Sequence, residues 1–171
     1  MSRTSPADPH RPVVDVGDLV ARVDELLPVA IRPQLWALFF DADCIQLPMM
    51  VPLEGIPAHP SPAAVEAWGS ALGAVVAEFG VAWIAFVVER PGAASTTGSD
   101  AAWCRSLLQL RETQGLAVRH VLGCSDAGVA IWGSAPPGST AGLGVDGSPA
   151  CGARAQASPR SLALADVLPL R

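Results

Sequence analysis

A chain of 171 residues, half of them hydrophobic and 16% charged, has room for one ordinary domain and is too apolar to be disordered throughout. Its net charge of −5 argues against a nucleic-acid-backbone binder, which needs clustered cations to release counterions. All basic side chains are arginine, so lysine Schiff-base chemistry is excluded, and the Arg- and Ala-rich composition suggests a GC-rich bacterial genome.

Residues 1–12 are polar, lack the apolar core of a signal peptide, and are expected to form a disordered arm. In residues 15–27, Val16, Leu19, Val20, Val23, Leu26 and Leu27 recur at helical spacing and predict a helix with one buried stripe. Residues 35–40 form a short apolar run ending in Asp41-Ala-Asp43, and residues 44–51 follow, which predicts a hairpin. Pro48 and Pro52 cannot donate to a ladder, so the second strand belongs at a sheet edge. Ser61-Pro62 is a helix start, with Ser61 as the expected cap, and Val65, Trp68, Leu72, Val75, Val76 and Phe79 carry its buried face to Gly80.

Residues 81–88 are continuously apolar, the pattern of a central strand covered on both faces. At eight residues this longest apolar run falls far below the roughly 18–20 needed to cross a membrane, and a soluble, cytoplasmic protein is expected. Thr97-Gly98-Ser99-Asp100 fits a capping box opening a helix whose buried face includes Trp103, Leu107 and Leu110, ended by Gly115. Residues 118–122 and 128–132 predict a second hairpin through Asp126 and Ala127.

Beyond Gly133 the chain changes character. Residues 134–160 are rich in Gly, Pro, Ala and Ser and are expected to be a flexible linker. Residues 161–171 regain Leu162, Leu164, Val167 and Leu168, a short segment that could be helical and either dock on the body or bind a protein or peptide partner. The folded unit is therefore expected over residues 13–133: a single mixed-sheet α/β domain in the order helix–hairpin–helix–strand–helix–hairpin.

Cys44, Cys104, Cys124 and Cys151 form no C-x-x-C pair, and with only His10, His59 and His120 available they predict reduced thiols and no metal or cofactor. Glu89-Arg90, at the end of the central strand, stand where α/β sheets often bind ligands, and a surface ion pair between them is the plainer expectation. His120 lies four strand residues before Cys124, about 13 Å away along the backbone, too far for a Cys–His catalytic pair.

Over residues 32–133 the order and spacing resemble the RadC-type branch of the JAB/MPN domains, whose members include zinc-dependent deubiquitinase-like proteases. The resemblance is carried by Asp41-Ala-Asp43, by His59-Pro60 before the long helix, by the apolar central strand, and by Pro91-Gly92 leading into the next helix. It continues in Arg119-His120-Val121-Leu122-Gly123 and Gly128-Val129-Ala130, which resemble the closing D-H-x-x-x-G and final strand. Active members carry H-x-H-P followed by S-x-x-D, two imidazoles and a carboxylate around zinc with an open water position. Aligned through Pro91, the imidazole positions fall on Val88 and Arg90; an aliphatic group cannot ligate and a fixed cation repels a metal. Thr97-x-x-Asp100 matches the S-x-x-D end, one residue short in spacing.

The resemblance thus implies a JAB/MPN- or deaminase-like fold that is metal-free and non-catalytic. Its former catalytic groove, near Glu89, Arg90, Thr97, Asp100 and His120, would bind a peptide or small ligand. A second expectation, from another class, is a metal-independent enzyme using Glu89, Asp100 or His120 as acid or base on a small polar substrate.

Overall fold

Local chemistry sets most element boundaries in the computed structural model, which describes residues 8–135. The first helix, α1 (Val16–Leu26), starts where the Asp15 side chain accepts from the Asp18 amide. Its buried side includes Leu19, Val23 and, unusually, Arg22. The Arg22 guanidinium donates to the carbonyls of Asp8, Pro9 and Arg11, so residues 8–12 are held against α1 rather than forming part of an arm.

Strands β1 (Gln34–Phe40) and β2 (Gln46–Glu54) form the first hairpin, with β2, which carries Pro48 and Pro52, at the sheet edge. Helix α2 (Pro62–Phe79) begins with proline in its first turn, but Ser61 makes no side-chain capping bond, contrary to expectation. Gly80 ends it at φ 63°, a left-handed conformation that glycine adopts without a Cβ penalty. Strand β3 (Trp83–Glu89) is buried at every residue, as a central strand must be. Helix α3 (Gly98–Gln114) carries the reciprocal Thr97–Asp100 capping box. Strands β4 (Val118–Ser125) and β5 (Gly128–Ser134) close the domain and run past the expected strand ends, so the body extends beyond residue 133.

The sheet order is β2-β1-β3-β4-β5, with β3 and β4 parallel and all other neighbours antiparallel. The alternation of β3 divides the core in two. Ile84, Phe86 and Val88 pack beneath α2 and α3, with Leu72, Trp103 and Leu107. Trp83, Ala85 and Val87 pack on the other face, with Leu19 and Val23 of α1. The result is a three-layer α/β/α domain with a five-stranded mixed sheet.

Two bulges interrupt β4 and β5. Val118 pairs with Ile84 and His120 with Ala85, which leaves Arg119 as an extra residue against β3. Val121 pairs with Gly133 and Leu122 with Ile131, which leaves Trp132 extra against β4. A bulge re-aims the side chains beside it, and each of these borders a cavity.

Cys104 and Cys124 are free thiols, whereas Cys44 is disulfide-bonded, which corrects the expectation of reduced thiols at that position. The linker over 136–160 and the segment carrying Leu162, Leu164, Val167 and Leu168 lie outside the described residues. Among the described residues, no helix is long and apolar enough to cross a membrane.

Candidate functional site

Consecutive strand residues point to opposite faces, and this rule separates the two charged groups at the end of β3. Glu89 turns toward the α1 side and is 1% exposed. Its carboxylate accepts from the amides of Ile31 at 2.6 Å and Arg32 at 3.2 Å, from Gln34 Nε2 at 2.5 Å and from Trp36 Nε1 at 2.9 Å. Burial pushes this carboxyl upward, but the bonds from Gln34, Ile31, Trp36 and Arg32 outweigh it, and the pKa lies below the ordinary value. Glu89 is a buried clamp on the connection between α1 and β1. It makes no ion pair with Arg90, contrary to the expected surface pair.

Arg90 instead serves the α3 side. Its amide donates to the Cys124 carbonyl at 2.9 Å, which extends the β3–β4 ladder by one residue. Its guanidinium meets Asp100 Oδ2 at 3.1 Å and donates to the carbonyls of Ala93 and Ser95, so the loop before α3 is wrapped around it. Asp100 is 2% exposed and also accepts from the Thr97 amide at 2.8 Å, while the Thr97 hydroxyl accepts from the Asp100 amide at 3.2 Å. Arg90, Thr97 and Asp100 therefore converge as one network. Val88, the neighbouring position in the JAB-type alignment, is 3% exposed and belongs to the apolar core under α2 and α3.

Asp100 also stands at one end of a cleft of about 380 Å³ between α3 and β5. Ala101, Cys104 and Leu108 form its helix wall, Trp132 its strand wall, and Arg105 borders it. Gly123 makes this possible: a Cβ there would lie 2.0 Å from the Trp132 ring, so the indole lies flat across β4 only because position 123 has no side chain. Burial raises the Cys104 thiol above its usual range, and the charge of Arg105 opposes this. Of the cleft residues, only Asp100 is among the sequence-derived candidates. The available signal for the others was the pair of glycines, Gly123 and Gly133, inside otherwise apolar strands.

His120 belongs elsewhere. It precedes Cys124 by four residues on β4, and Glu89 is paired with Cys124, so it lies toward the opposite end of the strands. Its Nδ1 is 2.8 Å from Ser134 Oγ, and its ring stands edge-on to Trp83 with centroids 6.2 Å apart. Burial and then the charge of Arg119 push its pKa down, which favours the neutral ring near neutral pH. The groove expected to contain all five residues thus contains Arg90, Thr97 and Asp100, with Glu89 beneath the other face and His120 removed from it. Among the described residues no group of three His, Cys, Asp or Glu is placed to hold a metal ion. Comparison of the chain with family models, curated proteins and solved structures finds no match to any of them.

Proposed function

We propose that this domain is a non-catalytic binding or scaffold module on a degenerate JAB/MPN- or deaminase-like fold, with the cleft between α3 and β5 as its docking surface. The helix–hairpin–helix–strand–helix–hairpin order supports the fold reading. The observation that carries the functional reading is the contact between Arg90 and Asp100 at 3.1 Å. In the JAB-type alignment both occupy metal-ligand positions. Here the carboxylate is given a permanent guanidinium cation as its partner, and the other imidazole position is the buried aliphatic Val88. A divalent ion would have to displace that cation and would find no imidazole beside it.

The acid–base alternative finds less support. Glu89 and Asp100 are almost fully buried and bonded to donors, and His120 lies in a different network. The cleft, by contrast, offers an apolar lining of Ala101, Leu108 and Trp132 with Arg105 at its border, suited to an apolar side chain of an extended peptide or to a small amphipathic ligand.

Panning a peptide library on the purified chain tests this, with Ala101→Arg as the counter-screen. Ala101 is exposed on the cleft wall, so the variant obstructs the cleft without entering the core. Enriched peptides that bind the wild type and lose binding to Ala101→Arg are expected. Equal binding to both proteins, or stoichiometric zinc retained by the purified chain, overturns the reading.

A further inference from the structure

The second cavity, on the opposite face of the sheet, holds a different kind of chemistry. It is a hollow of about 260 Å³ between the start of α1 and the β4 bulge, bordered by Val14, Asp15, Val16, Trp83, Arg119 and His120. The bulge brings Arg119 and His120 to the same hollow, although neighbours on a regular strand would point apart.

Three groups that carry donors border it. Trp83 is 2% exposed, and its indole Nε1 is buried with no hydrogen-bond partner. A buried donor left unsatisfied costs free energy, and native structures rarely leave one so. Phe40 stacks on one face of this indole at 3.8 Å, and the Arg119 guanidinium lies over the ring at 4.8 Å from its centroid. Arg119 is half-buried and has no carboxylate partner among the described residues; the one hydrogen-bond contact of its guanidinium there is a long approach to Cys44 Sγ at 3.9 Å. Burial and then the charge of Arg111 both work against its cation. The third group is the N-terminus of α1. Asp15 caps only the Asp18 amide, at 2.8 Å, and the amides of Val16 and Gly17 have no partner among the described residues.

The negative groups nearby are already engaged. Asp15 accepts from the Asp18 amide, and Asp18 is paired with Arg11 at 2.9 Å and accepts from the Val14 amide. We propose that this hollow is a binding site for a small oxyanion, a carboxylate or phosphate group of a small molecule, held by the Arg119 guanidinium, the α1 N-terminus and the Trp83 indole N–H. A guanidinium fork presents paired N–H groups to two oxygens, and a helix N-terminus favours negative charge. The site is separate from the cleft, and the proposal does not depend on what the cleft binds.

The test follows the Trp83 indole N–H resonance of the ¹⁵N-labelled full chain, assigned by its loss in Trp83→Phe. Acetate and inorganic phosphate are titrated separately at constant ionic strength. A saturable downfield shift with either probe is expected, and the probe that binds more tightly identifies the class of headgroup. Arg119→Gln should weaken binding at least about tenfold, as loss of a charge-assisted pair of hydrogen bonds does. Val14→Glu gives a second, fold-neutral check: this side chain is 61% exposed at the mouth, and a carboxylate there should repel either probe. A linear, non-saturating response to both probes, or unchanged affinity in both variants, overturns the proposal.

Discussion

The indole of Trp132 lies so close over Gly123 that a Cβ at position 123 would stand 2.0 Å from Trp132 Cε2. Alanine at 123 therefore cannot coexist with the present ring position. Either the indole leaves the cleft wall or β4 shifts within the sheet. Gly123→Ala is expected to destabilise the domain by about 1–3 kcal/mol, the usual cost of overpacking. It should also red-shift the tryptophan emission. A second substitution, Trp132→Ala, removes the clash, so a double-mutant cycle in urea should show a favourable coupling between the two changes. Simple additivity would mean that the ring does not pack over position 123.

The donor set around Glu89 makes its carboxylate specific in charge as well as shape. All four partners donate, two from the chain after α1 and two from side chains of β1. Glu89→Gln turns an amide NH₂ toward donors and should cost about 3 kcal/mol, the scale of an uncompensated buried group. The pH dependence has a definite sign. The folded-state pKa is depressed below the ordinary value of 4.5, so the carboxylate's contribution is complete above that value. It is lost as pH falls through the depressed folded value. The gap in unfolding free energy between wild type and Glu89→Gln should therefore narrow in acid. A gap independent of pH down to acid unfolding would refute the clamp.

Elements were legible in the sequence where their signals are local. The Thr97–Asp100 box, Gly80, Gly115 and the edge prolines each act on a backbone group within a few residues, and each could be read without knowing the fold. The site was legible in part: Arg90, Thr97 and Asp100, expected in one groove, do converge. Glu89 draws donors from 53 to 58 residues away, and no periodicity announces such partners. The Arg119 and Trp132 bulges had a similar effect. Alternation says that neighbours diverge, but one extra residue brings Arg119 and His120 together, and that insertion depends on pairing with another strand.

Thiol reactivity should divide Cys104 and Cys124, the two free cysteines among the described residues. Burial, followed by the charges of Glu89, Asp24 and Asp126, pushes the Cys124 thiol up to about 11. Its Sγ is also 3.5 Å from the Leu27 carbonyl, under α1. Cys104 is only partly buried, borders the open cleft, and has Arg105 nearby to offset the burial effect. The attacking species is the thiolate, so iodoacetamide at mildly alkaline pH should modify Cys104 while Cys124 stays protected until the domain unfolds. Peptide mass mapping over time checks the order. Faster modification of Cys124 would contradict the burial of the β4 end.

The network of Arg90, Thr97 and Asp100 combines two effects that mutation can separate. Thr97→Ala removes only the hydroxyl cap and should cost about 1 kcal/mol. Arg90→Ala leaves the 2%-exposed Asp100 carboxylate without its cation and frees the carbonyls of Ala93 and Ser95, an expected loss of about 3 kcal/mol. Asp100→Asn keeps an oxygen that can accept from the Thr97 amide but removes the charge. Adding it to Arg90→Ala should therefore recover stability, because the penalty in the single variant comes chiefly from an unpaired buried charge. Urea unfolding of the four proteins in that cycle measures the coupling. If the double variant is as unstable as the sum of its parts, the ion pair contributes nothing, and the electrostatic basis for reading this site as a metal-free groove falls with it.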